Sequence, residues 1–385
     1  MVYQSTVAQS DLSFGLSFMS HLGEGNVPIS PTSVRTALAM LYEGARGTTA
    51  KQIAQVAVLP EDAATRHKDF RELTDALNAA NTPYTLRLAN GLWMAIGYPV
   101  NPDYKSMLTD NYRAKAQSAD FQANPNGERE KINGWVSERT EEKIPNLFPS
   151  GSIDSITRFV LANAVYFKAQ WDGKFDPQYT QQQGYTLPNG KTVKVGMMRK
   201  GAIDSDGILP EFQYGEFDGV QVAILPYKGH QLQKVVMLPP KGSDVRSLEE
   251  HLRDNPLSID DLLYRRTDSR KFERLEMPKH EVRGSYDLEG PLSGMGIDMI
   301  FGHTADLSGI SPEALFVSSG KHETYFKTDE EGSEGAAATG FVMRSLGHTP
   351  SRPAVEFVVD RPFLEAVIHV RTGAVLFLNR VEDPR

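Results

Sequence analysis

Apolar residues recur at helical spacing through the first third of the chain and at strand spacing towards its end. Leu12, Leu16 and Met19 predict a helix over 11–22. Val34, Ala37, Leu38 and Leu41 predict a second, central helix over 32–43, which Ser30-Pro31 opens with proline suited to a first turn. Thr48 or Thr49 can cap a third that runs through Ile53. A fourth, over 61–80, mixes Arg66, Lys68 and Arg71 with Glu61, Asp62, Asp69 and Glu72, and such a face reads as solvated surface rather than a polyanion site. An amphipathic helix over 127–143 turns Ile132, Trp135 and Val136 inward.

Short strands are predicted over 26–29 and 85–95. The run 158–167 is nearly continuous in apolar residues, which fits a strand buried on both faces. Asn163 lies inside it, and a buried amide needs partners. Further strands fall at 221–225 and 235–238, followed by Pro239-Pro240 and a polar helix over 244–252. The stretch 275–283 alternates and carries Lys279, 315–317 and 354–359 are strand-like, and 363–370 and 374–381 flank Arg371-Thr372-Gly373 as a hairpin. Helices lead and strands follow, so the fold class is α+β.

Between 317 and 354 lies a stretch of another kind. Residues 330–339 are small or acidic; 340–346 turn apolar and end in two protease-sensitive bonds, Arg344-Ser345 and Leu346-Gly347. On composition alone this is an exposed linker. A loop of such length between two strands of a compact domain is usually functional or disordered.

Composition narrows the chemistry. The 385 residues are 40% hydrophobic and 23% charged, an ordinary globular balance. Length alone suggests two or three domains, but no linker or composition break supports a split. With no cysteine, disulfides, thiolate catalysis and Cys-ligated metals are excluded. Net charge is −8 without a basic block, which argues against a nucleic-acid partner. No apolar run is long enough for a membrane helix, and Met-Val-Tyr-Gln-Ser-Thr lacks the features of a signal peptide. The expected location is cytoplasmic for the chain as written, extracellular if a signal once preceded it. No His-Glu-x-x-His, Walker loop, Gly-x-Ser-x-Gly or strand-borne Gly-x-Gly-x-x-Gly occurs, and Asp329, Glu330, Glu331 and Glu334 do not fit a calcium loop. No enzyme, cofactor or metal site is expected.

Several ordered motifs resemble the serpin family (serine protease inhibitors) over nearly the whole chain, about 11–384. Ser30-Pro31-Thr32-Ser33 is similar to the family's shutter segment, followed by Gly44-Ala45-Arg46-Gly47-Thr48 and Gln52-Ile53. Asn163, Phe167, Trp171 and Phe175, four apart, resemble the strand leading to the breach, and Ala305-Asp306-Leu307-Ser308-Gly309-Ile310 resembles a family hallmark. His322 lies ten residues before Gly332, the family's spacing from shutter histidine to hinge glycine. Asp360-Arg361-Pro362-Phe363 resembles the C-terminal signature. Three departures stand out: Glu365 replaces an expected apolar residue, Asn379 sits where glycine is usual, and about five extra residues precede Pro362.

The resemblance implies a single domain over 1–385, with three β-sheets, eight or nine helices and an exposed reactive-centre loop at about 331–352. It implies an irreversible inhibitor that acts as a monomer on serine proteases through a covalent acyl-enzyme, with no heparin-type site. The hinge would be Glu331, Gly332, Ser333, Glu334, Gly335, Ala336, Ala337, Ala338 and Thr339. The reactive bond would be Leu346-Gly347, with Arg344-Ser345 as the alternative. Leucine suits chymotrypsin-, elastase- or subtilisin-like targets and arginine trypsin-like ones. A non-inhibitory carrier or chaperone is the competing role. Ser30, Ser33, Asn163 and His322 would form a shutter network, and Lys279 and Glu330 a salt bridge beside Trp171 at the breach.

The loop itself can be tested for insertion as a strand. With Ser333 inward, alternation turns Gly335, Ala337, Thr339, Phe341 and Met343 inward, and sends Glu334 and Arg344 outward. No charge would be buried and no proline interrupts the ladder. Residues 332–346 would span roughly 50 Å at about 3.3 Å per residue. Some 20 new ladder bonds would release on the order of 10–30 kcal/mol.

Overall fold

The computed structural model describes residues 10–79, 82–114, 116–200, 211–255, 267–333 and 355–385. Both bonds expected to be reactive, Leu346-Gly347 and Arg344-Ser345, lie outside the described residues, as do the hinge positions Glu334 to Thr339.

Among the described residues there are eight helices: α1 (Asp11–Ser20), α2 (Pro31–Gly44), α3 (Gly47–Val56), α4 (Ala63–Leu77), α5 (Pro102–Tyr112), α6 (Pro125–Arg139), α7 (Val245–Asp254) and α8 (Glu289–Gly294). The strands begin with β1 (Val27–Ile29), β2 (Tyr84–Ala95), β3 (Ala116–Ala119) and β4 (Phe159–Gln170). Then come β5 (Gln181–Thr186), β6 (Thr192–Lys200), β7 (Glu211–Phe217), β8 (Val220–Pro226), β9 (Leu232–Leu238) and β10 (Thr267–Pro278). The last are β11 (His280–Asp287), β12 (Ser319–Thr328), β13 (Gly332–Ser333), β14 (Val355–Val358), β15 (Phe363–His369) and β16 (Val375–Val381).

These strands make three sheets. The first runs β11-β12-β13-β4-β2-β3. The second runs β1-β16-β15-β9-β8-β7 and ends on the first half of β10. The second half of β10 belongs to the third sheet, between β14 and β6, with β5 outermost. Helix α2, buried along almost its whole length, packs against β16, β4 and β2, so it holds the first sheet to the second.

The unbroken apolar run of β4 now has a reason. Val160, Ala162 and Ala164 join a small core with Ile132 and Val136 of α6, while Phe159, Leu161, Val165 and Phe167 join the main core on the other face. A strand covered on both sides cannot alternate with polar residues.

Several local expectations change. Trp135 is half-buried, standing edge-on to Trp93 at 5.0 Å with the Arg139 guanidinium 4.2 Å above it. The stretch 275–283 is two strands, and Lys279 falls in the break between β10 and β11. Residues 315–317 bury Leu315 and Val317 without forming a strand. Helix α3 starts at Gly47 after Arg46; Thr49 accepts from the Asp306 N–H at 3.0 Å instead of capping it.

Candidate functional site: shutter and breach

At the centre of the first sheet, β4 and β12 run parallel, with residues 160–165 opposite 319–324. Strand β2 lies antiparallel on the far side of β4. Asn90, Asn163 and His322 therefore stand side by side on three neighbouring strands. The Asn163 amide donates to Ser33 Oγ (2.7 Å) and to Asn90 Oδ1 (2.5 Å), and the Ser33 hydroxyl donates to Asn90 Oδ1 (3.1 Å). His322 Nδ1 bonds Asn163 Oδ1, and its Nε2 accepts from the Ser30 backbone N–H at 3.1 Å. Because Nε2 accepts, the ring is neutral with its proton on Nδ1.

Three of the four shutter residues expected from the sequence thus share a network through their side chains. Ser30 takes part through its backbone, and its buried hydroxyl has no partner among the described residues. Asn90 was missing from the expectation.

Burial lowers the His322 pKa from 6.5 to about 3. Burial, with Arg371 adding to it, lowers His369 to about 4. A depressed folded-state pKa means that the unfolded chain takes up the proton first, so stability is full above about 6.5 and falls as pH drops. Each group contributes up to ~1.4 kcal/mol per pH unit. Urea unfolding followed by tryptophan fluorescence between pH 6 and 4.5 is expected to show a shallower loss of stability in His322→Gln than in the parent. An unchanged slope would mean that His322 takes up its proton without leaving the network.

At one end of the first sheet, β13 separates β12 from β4. Gly332 pairs with Gln170, and Ser333 with Ala169 and Thr328, antiparallel to both neighbours. A Cβ at position 332 would lie 2.0 Å from the Ala169 carbonyl oxygen, so only glycine fits. The Ser333 side chain points into the core, its hydroxyl 2.6 Å from the Tyr227 hydroxyl. Tyr227 stacks on Trp171 (4.7 Å, 8°) and meets Phe167 edge-on.

The chain leading into β13 is held at every residue. Asp329 Oδ1 accepts from the N–H groups of Glu331 (3.0 Å) and Gly332 (3.3 Å). The Trp171 indole donates to the Asp329 carbonyl (2.9 Å), and the Trp171 backbone N–H to Glu331 O (3.0 Å). Glu330 lies 3.3 Å from Lys279 and accepts from Thr180 at 2.8 Å; Glu331 pairs with Lys174. Burial works to raise the Glu330 pKa, but Thr180 and Lys279 outweigh it and hold the carboxyl below its usual range. The breach residues Trp171, Lys279 and Glu330 are therefore brought together. Tyr227 gave no signal in the sequence.

Beneath this mouth lies a buried group of ions. Lys234 Nζ is 2.6 Å from Glu365 Oε2 and donates to Thr328 Oγ1 at 2.6 Å. His280 Nε2 (3.1 Å) and Asn379 Nδ2 (2.8 Å) share Glu365 Oε1. Burial opposes the charge on Glu365, yet Lys234 and then His280 outweigh it and bring its pKa to about 2.

At one end of the first sheet, two residues of a third strand thus separate two strands that elsewhere pair directly and in parallel. The chain belongs to the serpin family, whose members usually inhibit serine proteases and are generally not enzymes. The family model described as Serpin (serine protease inhibitor) matches residues 8–384. A leukocyte elastase inhibitor from Bos taurus is 35% identical over 383 residues, 96% of each chain. An uncharacterized serpin-like protein from Thermococcus kodakarensis is 34% identical over 362 residues, 94% of this chain and 81% of that one. Serpin48 of the insect Tenebrio molitor, a highly specific serpin, has a solved structure that matches with a TM-score of 0.84 and 27% identity, covering 98% of each chain.

Proposed function

We propose that this chain is a single-domain, monomeric, irreversible inhibitor of serine proteases, cut at Leu346-Gly347 and then completed as a central strand of the first sheet. The protease serine attacks the Leu346 carbonyl, the bond to Gly347 breaks, and the Gly347 nitrogen leaves with a proton as a new N-terminus. The acyl-enzyme ester would normally be released by water. Insertion of the segment before Leu346 carries the tethered enzyme away and distorts it before that step.

One observation carries this reading. Where β4 and β12 pair directly, His322 faces Asn163; where β13 lies between them, Ser333 faces both Thr328 and Ala169. Continued from Ser333, the register would put Gly335 between Phe167 and Phe326, Ala337 between Val165 and Thr324, and Thr339 between Asn163 and His322. The closed and open parts of the sheet therefore share one alignment. The strands need only part sideways, without sliding. The inward residues are the small and then apolar set, as burial requires.

Leucine at the cut, together with the relative named as an elastase inhibitor, supports a chymotrypsin-, elastase- or subtilisin-like target. Incubation with chymotrypsin and with trypsin, read on a denaturing gel, tests the reading. The expected result is an SDS-stable complex with chymotrypsin and a released fragment whose mass begins at Gly347. A fragment beginning at Ser345 would move the reactive bond to Arg344. Clean cleavage without any complex would turn the reading to a carrier.

A further inference from the structure

The buried ions at the mouth of the slot call for an explanation that stability does not supply. Replacing a buried ion pair by packed apolar residues is often neutral or stabilising, so such groups are better understood through the geometry they impose. Here Lys234 of β9 reaches Thr328 of β12, and Glu365 of β15 reaches His280 of β11. The cluster thus ties one flank of the slot, β11 and β12, to the second sheet. Its members Glu365 and Asn379 are two of the three departures noted in the sequence, and they stand 2.8 Å apart.

The tie falls where opening has to begin. Thr328 is the residue directly opposite Ser333. The Lys234 ammonium also sits 4.9 Å over the Phe326 ring and 5.7 Å from the Trp171 ring. Phe326 in turn stacks on Phe167 across the slot (6.3 Å, 4°). Both inward side chains at this end of β12 are therefore held by one cation, and Glu365 holds that cation. His280 fixes Glu365 from the other side, with its Nδ1 3.1 Å from the Pro278 carbonyl.

We propose that Lys234, Glu365 and His280 are positioning residues for strand insertion: a buried ionic lock that pins β12 at Thr328 and sets how fast the slot beside it opens. The lock rests on the insertion reading above. Its role is kinetic, and it restrains the intact chain from taking up its own loop before a protease has cut it.

Thr328→Val keeps the side-chain shape and removes only the acceptor for Lys234; Thr328→Ser keeps the acceptor. Intact protein is held at a moderately elevated temperature, and its conversion to a heat-resistant, loop-inserted form is followed by native gel in urea. Loss of a hydrogen bond to a charged group is expected to speed conversion about tenfold in Thr328→Val, with Thr328→Ser within about twofold of the parent. Glu365→Gln, which leaves Lys234 without its counter-charge, moves in the same direction. A merely structural role would lower the melting temperatures of intact and cut protein together and leave the conversion rate alone. If cut parent protein gains heat resistance but Thr328→Val and Glu365→Gln convert at the parent's rate, the lock is overturned by itself. If cut parent protein gains none, insertion has failed and the lock falls with it.

Discussion

A single cut within 334–353 is expected to raise the melting temperature by about 10 °C or more, although it breaks a covalent bond. The closed part of the slot is a parallel pairing of 160–165 with 319–324, which insertion must give up. Parallel pairing is slightly the weaker kind per residue. Ten residues beyond Ser333 would then bond antiparallel on both sides, about 20 bonds gained against roughly six lost, each worth a net ~0.5–1.5 kcal/mol. The balance is on the order of 10 kcal/mol, smaller than a count of new bonds alone implies. Spread over the unfolding entropy of 385 residues, that is a shift of ~10 °C. Calorimetry on matched intact and cut samples decides it. Equal melting temperatures would mean that no strand was added.

Thr339→Arg is expected to turn an inhibitor into a substrate. On insertion, the register would carry position 339 between Asn163 and His322, both with no solvent exposure. The groups waiting there are two amides, a hydroxyl and a neutral imidazole, none of which can balance a guanidinium. Burying an unpaired charge costs several kcal/mol, enough to stall insertion halfway while water frees the protease. The yield of SDS-stable complex should fall at least about tenfold, since each 1.4 kcal/mol is a factor of ten, and cut chain should accumulate instead. The intact variant should melt like the parent. Undiminished complex would show that Thr339 does not travel inward.

Much of this arrangement can be read from residue order, and the reasons differ by element. The buried stripe of α2 and the unbroken apolar run of β4 are local patterns, and so is the hairpin of β15 and β16. Asn163 stands out as a polar residue in an apolar strand, and His322 by its ten-residue spacing to Gly332. Asn90 and Tyr227 do not, because their partners come from elements more than 50 residues away whose pairing no local period records. Ser30 acts through its backbone N–H, which every residue but proline has, so its side chain misleads. Glu365 and Asn379 are visible only as oddities. That they answer each other, and Lys234 and His280 as well, is a fact of packing.

The two residues of β13 bear on timing. Starting a new strand is costly because the chain must be brought round and fixed before the first bonds form. Gly332 and Ser333 already pair with β4, and Ser333 with β12, so an insertion of the kind proposed would find its initiation complete. On the insertion reading proposed above, only propagation would be left to race the protease, and a reaction relieved of its nucleation step can be fast without being any more downhill.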